Sequence, residues 1–182
     1  IVCSLVGSEM CIRDSTIGAL MNQAMKIDGF LHGADPLSTM SALNQIGAKI
    51  TIGEDGLVYL NKRDRAFLDC KDSLDLGNSG TGLRLMLGLT SGIGLNLSFC
   101  GDKSLSKRPM GRAINPLVEM GANIESLNGK LPISLSSAKL QTKFTYELPV
   151  ASAQVKSSIL LAGLAAKACL LYTSPSPRDY TR

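Results

Sequence analysis

The chain repeats one residue pattern about 74 positions later, so it must build the same structural unit at least twice. Four residues recur with the same spacing: Leu43, Gly47, Ala48 and Ile50 return as Leu117, Gly121, Ala122 and Ile124, and Pro36 returns one position earlier as Pro109. A repeat of this length is one copied supersecondary unit whose apolar face is buried against its neighbour. The chain is therefore predicted to contain at least two copies of one unit.

The first copy predicts a helix followed by a β-hairpin. Asp35 is suited to cap a helix that has Pro36 at its first position, and Gly47 is suited to end it. The apolar stripe of this helix consists of Leu37, Met40, Leu43 and Ile46. Two short strands are predicted near Lys49 to Ile52 and Leu57 to Leu60, joined by a turn that is rich in glycine and acidic residues.

The second copy predicts the same order of elements. A helix is expected from Pro109 to Met120, with a kink at Pro116. Strands near Asn123 to Leu127 and Leu131 to Leu135 are expected to follow, joined by the turn pair Asn128-Gly129.

Two further elements precede the second copy and complete the unit. Residues 80–89 have helical periodicity, and residues 95–99 alternate apolar and polar side chains as a strand does. Each unit is therefore predicted as αβαββ, and the run from Ser152 to Lys167 is predicted as the first helix of a third unit. The fold class is α/β in the mixed α+β sense, built from these repeated units and incomplete in the third.

Three polar segments favour one anion-binding site. Residues 78–84 and 149–157 each stand just before an apolar helical run, where the first amides of a helix have no acceptors within it. Residues 101–112 bring four cations, Lys103, Lys107, Arg108 and Arg112. Free amides and guanidinium groups bind phosphate and carboxylate oxygens well. We predict a small ligand that carries several negative charges.

These three segments resemble the signatures of the EPSP synthase (3-phosphoshikimate 1-carboxyvinyltransferase) family. The chain carries Gly-Asn-x-Gly-Thr-Gly from Gly77, Arg-Pro-Met from Arg108 and Ala-Ser-Ala-Gln-Val-Lys-Ser from Ala151, in the family's order. The similarity spans about Thr16 to Lys167. The resemblance implies the enolpyruvyl transferase fold, of the inside-out α/β barrel type, in which two domains of three units each enclose the active site. The family is well over twice as long as this chain, so most of one domain is expected here.

The resemblance also implies the substrates and the residues that bind them. The family transfers the enolpyruvyl group of phosphoenolpyruvate to the 5-hydroxyl of shikimate 3-phosphate. By resemblance, Gly80 and Arg108 bind phosphoenolpyruvate, and Ser152, Ala153 and Gln154 bind shikimate 3-phosphate, with Ala153 using its backbone and Gln154 also reaching phosphoenolpyruvate. The expected supporting residues are Asn78, Thr81 and Arg84. Judged from the residues alone, the glycines are equally compatible with helix packing, and Ser152 with simple capping.

The family's acid and base residues, which the transfer needs, are not located in this chain, so its catalytic residues stay unknown. The family supplies them largely from its second half. It also uses a segment at the first helix start that contains Lys-Ser and ends in Arg. The repeat places that segment within residues 4–14, where no Lys-Ser pair precedes Arg13, and we assign Arg13 no role. We expect a fragment that is inactive alone and has no cofactor.

Both ends of the chain lie outside the repeat. Residues 1–15 and 169–182 resemble translated library-adapter sequence, and we expect them to be non-native flanks of a partial domain over residues 16–168. That domain would comprise two units and the first helix of a third. A natural disordered tail is the alternative.

Two other functions remain open from the sequence. The first is a UDP-N-acetylglucosamine enolpyruvyl transferase, although the cysteine of its catalytic loop has no counterpart in a matching context. The second is a non-catalytic module that binds phosphate or other anions.

Composition argues against several other classes. Aromatic residues make up 4% of the chain, with no Trp, so few rings are present to stack on nucleic-acid bases. The five cysteines have no metal-ligand spacing, and we expect no metal. No apolar run is long enough to cross a membrane. We expect a cytoplasmic protein with no nucleic-acid or membrane partner, and the resemblance implies a monomer at full length.

Overall fold

The computed structural model describes residues 2–4 and 7–173, which form two complete units and the start of a third. The first unit comprises β1 (Val2–Ser4), α1 (Ser8–Met21), β2 (Met25–Asp28), α2 (Ala34–Gln45), β3 (Lys49–Ile52) and β4 (Val58–Asn61). The second comprises β5 (Ser73–Asp75), α3 (Gly80–Ile93), β6 (Leu97–Cys100), a 3-10 turn (Leu105–Lys107), α4 (Gly111–Glu119), β7 (Asn123–Leu127) and β8 (Lys130–Ser136). The third begins with β9 (Lys143–Glu147), α5 (Ala153–Ala166) and β10 (Cys169–Thr173).

The two complete units have the same sheet topology. Their strand orders are β1-β2-β4-β3 and β5-β6-β8-β7. In each sheet the first two strands are parallel and the later pairs are antiparallel. The parallel pair β9 and β10 repeats the start of this arrangement around α5. The predicted repeat is confirmed, including the first helix of the third unit.

Each unit has one strand more than the sequence pattern predicts. β5 and β9 precede α3 and α5, so the unit is a strand followed by the predicted αβαββ order. β5 has three residues, of which Leu74 alone is buried. A run this short carries no detectable alternation, because a period of two needs several residues to be recognised.

Two predicted helix starts are wrong by two residues each. α2 begins at Ala34 after Gly33, so Asp35 and Pro36 lie inside its first turn. The carbonyl of Asp35 accepts hydrogen bonds from the Ser38 and Thr39 hydroxyls instead. Similarly, α4 begins at Gly111, two residues after Pro109. Pro36 fits inside the first turn of α2, because the N–H groups there lack partners within the helix, whereas Pro109 precedes the N-cap residue Met110 of α4.

The predicted ends and turns agree closely with the structure. Gly47 follows α2 with φ +100°, and Asn128 and Gly129 adopt φ 53° and 67° in the turn between β7 and β8. Pro116 lies inside α4 as predicted. Gly47, Asn128 and Gly129 have positive φ, which glycine and asparagine adopt at low cost.

Helix α3 lies at the centre of the fold. Eleven of its fourteen residues are buried, and it contacts α1, α2, α4 and α5. It approaches α5 through two glycines spaced one turn apart. A Cβ placed on Gly88 would lie 2.1 Å from the carbonyl oxygen of Ser158, and one on Gly92 would lie 2.3 Å from that of Ala162. The two helix backbones are therefore in direct contact, which fixes how the starts of α3 and α5 stand relative to each other.

Parts of both predicted flanks belong to elements of the structure. Helix α1 continues through residue 15, with Cys11 and Ile12 buried, and the 169–173 segment pairs with β9 as β10. The rest of the predicted flanks, residues 1, 5–6 and 174–182, lies outside the described residues. Whether these flanks are native stays a prediction.

The described residues contain neither a helix that could span a membrane nor a cluster of metal-ligating side chains. None of the helices found there is long and apolar enough to cross a membrane. Within the same residues, no three His, Cys, Asp or Glu side chains stand together as metal ligands would.

Candidate anion-binding site

The first helices of the three units begin side by side, and their second residues are joined by hydrogen bonds. These residues are Glu9 of α1, Thr81 of α3 and Gln154 of α5. Gln154 Nε2 donates to Thr81 Oγ1 at 2.9 Å and to Glu9 Oε1 at 3.0 Å, and the Thr81 hydroxyl donates to Glu9 Oε1 at 3.3 Å. Thr81 is 72 residues from Glu9 and 73 residues from Gln154 along the chain, yet the three side chains meet at one point.

Serine caps explain where α3 and α5 begin. Ser79 Oγ accepts the Gly82 amide at 3.1 Å, and Ser152 Oγ accepts the Val155 amide at 3.4 Å. Each cap satisfies one of the free amides at the start of its helix. The remaining amides and the helix dipoles leave partial positive charge where the helices converge.

Arg84 links the starts of α3 and α5. It stands one turn into α3, and its Nη1 donates to the Gly80 carbonyl and to Gln154 Oε1, both at 2.9 Å. Burial lowers the pKa of this guanidinium below its usual value, and the positive charges of Arg108 and Arg112 lower it further. Several cations are therefore concentrated here, as an anion site requires.

Arg108 is held against the start of α3 by Asn78. Its backbone is extended, with φ −75° and ψ 134°, as expected for a residue before proline. Its Nη2 donates to Asn78 Oδ1, and its Nη1 donates to the Asn78 carbonyl at 3.4 Å. Arg108 itself is exposed, so its guanidinium can also reach a ligand.

Gly80 stands between the two guanidinium groups. A Cβ placed on it would lie 3.0 Å from Nη1 of Arg84 and 3.0 Å from Nη1 of Arg108. The absence of a side chain therefore lets two cations approach one helix start. Gly82 serves a different purpose, because a Cβ there would lie 2.3 Å from Thr39 Oγ1 of α2. Packing therefore accounts for Gly82, whereas a side chain at Gly80 would crowd two guanidinium groups. Ligand contact by Gly80 stays a prediction.

The sequence that forms this site matches a known protein family. The family model for EPSP synthase (3-phosphoshikimate 1-carboxyvinyltransferase) matches residues 6–178. The chain belongs to the EPSP synthase family. The resemblance carried by the three motifs is thereby confirmed, as is the fold class.

Similar proteins agree with this assignment. The 3-phosphoshikimate 1-carboxyvinyltransferase of Ruthia magnifica is 46% identical over 171 residues, which are 93% of this chain and 39% of that protein. The protein of the same name from Coxiella burnetii is 44% identical over 187 residues and covers 97% of this chain and 43% of its own length. The EPSP synthase structure from Acinetobacter baumannii matches with a TM-score of 0.86 at 36% identity, over 97% of this chain and 41% of that chain.

The chain thus spans about two-fifths of the length of the EPSP synthases that it matches. All of the named matches are 3-phosphoshikimate 1-carboxyvinyltransferases or EPSP synthases. Nothing in them favours a UDP-N-acetylglucosamine enolpyruvyl transferase.

The structure brings together most of the residues singled out from the EPSP synthase motifs. The connected group consists of Asn78, Gly80, Thr81, Arg84, Arg108 and Gln154. Ser152 and Ala153 join it through the first turn of α5, where Ser152 is half-buried and Ala153 is exposed. Lys103, Lys107 and Arg112 are exposed. The ligand roles of these residues stay predictions.

Two residues at this site were not singled out. Glu9 was set aside with the flank, and Arg13 was given no role. Arg13 pairs with Glu9 Oε2 at 3.3 Å and donates from Nε to Ser157 Oγ at 3.5 Å, so it links α1 to α5. The repeat carried the signal for both, since it places a helix start within residues 4–14. They were not predicted as site residues because residues 1–15 resemble adapter sequence and no Lys-Ser pair precedes Arg13.

Proposed function

We propose that this chain forms the part of a 3-phosphoshikimate 1-carboxyvinyltransferase site that holds the anionic groups of phosphoenolpyruvate and shikimate 3-phosphate. The observation that carries the proposal is the pair of guanidinium groups, Arg84 and Arg108, on either side of Gly80 at a helix start. Fixed guanidinium groups beside free amides suit phosphate and carboxylate oxygens, because paired donors match paired oxygens.

Within this site, Gly80 and Arg108 are proposed to bind phosphoenolpyruvate. Ser152, Ala153 and Gln154, at the start of α5, are proposed to bind shikimate 3-phosphate. Gln154 is suited to both because it is bonded to Arg84 and Thr81 across the gap between the two helices. Asn78 supports the site by holding Arg108, while Thr81 and Arg84 support it by holding Gln154.

We further propose that this chain does not turn over its substrates by itself. Enolpyruvyl transfer needs a base for the hydroxyl and an acid for the methylene carbon, and the site described above consists of binding groups rather than such a pair. The proposal includes a cytoplasmic location, a monomeric full-length protein and no nucleic-acid partner.

Calorimetric titration of the chain with shikimate 3-phosphate and with inorganic phosphate tests the proposal. A transferase site is expected to bind shikimate 3-phosphate at least about tenfold more tightly, because the ring adds hydrogen bonds that phosphate lacks. Equal affinity for the two would contradict the proposal and favour a generic anion-binding module.

Replacing Gly80 with alanine is expected to weaken phosphoenolpyruvate binding about tenfold. The added methyl would lie 3.0 Å from both guanidinium groups, so they must move apart, and it would occupy space next to the ligand. Titration of the variant with phosphoenolpyruvate measures the effect. Gly33→Ala is the matched control, because a Cβ at that position meets nothing closer than 3.7 Å. If both variants bind as the unmodified chain does, Gly80 does not face the ligand.

A further inference from the structure

A cavity of about 210 Å³ opens between α4 and the loop that leads into α5. Its lining comes from the start of α4, the end of β9, residues 148–150 and the first turn of α5. None of the residues proposed above to bind the two substrates lines this cavity, so the proposed function does not account for it. We propose that the cavity binds a small aromatic monocarboxylate, with the ring inside it and the carboxylate on Arg112.

The inner wall of the cavity is apolar. Leu148 and Val155 are 2% and 5% exposed, while Pro149 and Val150 also line the cavity but are exposed, Val150 at 48%. An apolar body placed here would cover part of that exposed surface, and the removal of apolar surface from water favours binding. The lining therefore favours a ligand with an apolar body over a hydrated ion such as free phosphate.

One side of the cavity is aromatic. Tyr146 is half-buried, and its ring stacks on that of Phe144 in the same strand, with centroids 5.9 Å apart and planes 15° apart. The stacking holds the Tyr146 ring in place, so it offers a preformed surface to a second ring. Burial raises the pKa of Tyr146, and the negative charge of Glu119 raises it further. The phenol therefore stays protonated and can donate a hydrogen bond.

The cation of the cavity is Arg112, in the first turn of α4. Among the residues that the structure describes, no carboxylate is paired with Arg112. Burial lowers the pKa of Arg84, and the charges of Arg108 and Arg112 lower it further, so these cations repel one another. An anion beside Arg112 would relieve part of that repulsion, and a guanidinium binds a carboxylate through paired donors. The start of α4 also has no side-chain cap, and its dipole favours an anion there.

The charges along α4 set the direction of the ligand. Asn115 stands three residues after Arg112 and lines the same cavity, and Glu119 stands seven residues after it. Positions three and seven apart share one face of a helix, so this face has a cation at its start and an anion at its end. The carboxylate of the ligand is therefore expected beside Arg112, where the Asn115 amide can also donate to it. The ring is expected beside Tyr146, where it meets no like charge.

The size of the cavity limits the ligand to about one ring. Its volume of about 210 Å³ is below the roughly 300–1,000 Å³ of pockets that hold drug-sized ligands. Acetate would leave the apolar wall uncovered. Benzoate, which has one ring and one carboxylate, is the simplest compound of the expected class.

NMR titration of the 15N-labelled chain with benzoate tests the inference. We expect the amides of residues 112–115 and 146–148 to shift together. Acetate has the charge without the ring, and benzyl alcohol has the ring without the charge. Each is expected to bind at least about tenfold more weakly than benzoate, because each lacks one of the two contacts.

The variant that tests the carboxylate contact is Arg112→Gln, which is expected to weaken benzoate binding about tenfold. The matched control is Lys139→Gln, which removes an equal charge at an exposed position that does not line the cavity. The control is expected to bind benzoate as the unmodified chain does. Both positions are exposed, so neither change is expected to disturb the fold.

Three outcomes would overturn the inference. The first is the absence of benzoate shifts in residues 112–115 and 146–148, including the case in which only residues 80–82 and 153–155 shift. The second is equal affinity for benzoate and acetate, which would show that the apolar wall takes no part. The third is an equal loss of affinity in Arg112→Gln and Lys139→Gln, which would show attraction by overall charge. None of these outcomes bears on the proposed function, which is tested separately by titration with shikimate 3-phosphate.

Discussion

Replacing Arg108 with alanine is expected to weaken phosphoenolpyruvate binding about a hundredfold. The guanidinium of Arg108 lies beside Gly80, and Asn78 holds it there through two hydrogen bonds. A charged hydrogen-bond donor contributes roughly 1.5–3 kcal/mol, and two factors of ten correspond to about 2.7 kcal/mol. Calorimetric titration of the folded variant measures the loss.

The matched control for Arg108 is its neighbour Lys107, which is also exposed and carries the same charge. Lys107→Ala is expected to weaken binding less than about threefold. Salt in the solution screens the attraction between an exposed lysine and a ligand that it does not contact. Similar losses in the two variants would mean that the site responds to overall charge, and the assigned role of Arg108 would be wrong.

Replacing Gly88 with alanine is expected to lower the free energy of unfolding by about 3 kcal/mol. The added Cβ would lie 2.1 Å from the Ser158 carbonyl oxygen and 2.8 Å from its carbonyl carbon, so α3 and α5 must separate. Backbone atoms of a helix cannot turn aside as a flexible side chain can. Urea unfolding of the chain and of the variant measures the difference.

Gly111→Ala provides the control for Gly88. Gly111 is the first residue of α4, and a Cβ there meets only Asn115 Oδ1, at 3.9 Å. This change is expected to be neutral or to stabilise by up to about 1 kcal/mol, because alanine favours a helix. If Gly88→Ala were as stable as Gly111→Ala, the close contact between α3 and α5 would be contradicted. Because that contact also fixes the two helix starts, Gly88→Ala is expected to weaken anion binding as well.

The elements that could be predicted from the sequence are those with local patterns. The two hairpins followed from short alternating runs on either side of turn residues, and the repeat supplied the order of elements. The leading strand β5 could not be found in this way, because it has three residues and is held by pairing with β6, which follows a whole helix. β9 does carry a local alternation, with half-buried aromatic residues between exposed polar ones over Lys143–Glu147. The start of α2 was misplaced because Asp35 has the composition of a cap but lies inside the first turn.

Most residues of the candidate site could be predicted from the sequence, but the hydrogen bonds between them could not. The motifs identified Arg84, Arg108 and Gln154 separately. The bond between Arg84 and Gln154 joins residues 70 positions apart, and no local pattern contains it. Glu9 was not predicted as a site residue, because it lies within residues 1–15, which the sequence pattern marks as a flank. Its position follows from the packing of α1 against α3, which is a property of the whole fold.

The central claim is that the starts of α3 and α5 form one site for a phosphorylated substrate. Two-dimensional NMR of the 15N-labelled chain, titrated with shikimate 3-phosphate, tests it most directly. We expect the amides of residues 80–82 and 153–155 to shift together, with one shared affinity, because both helix starts contact the same ligand. Shifts confined to another basic segment, such as residues 62–65, with both helix starts unchanged, would contradict it.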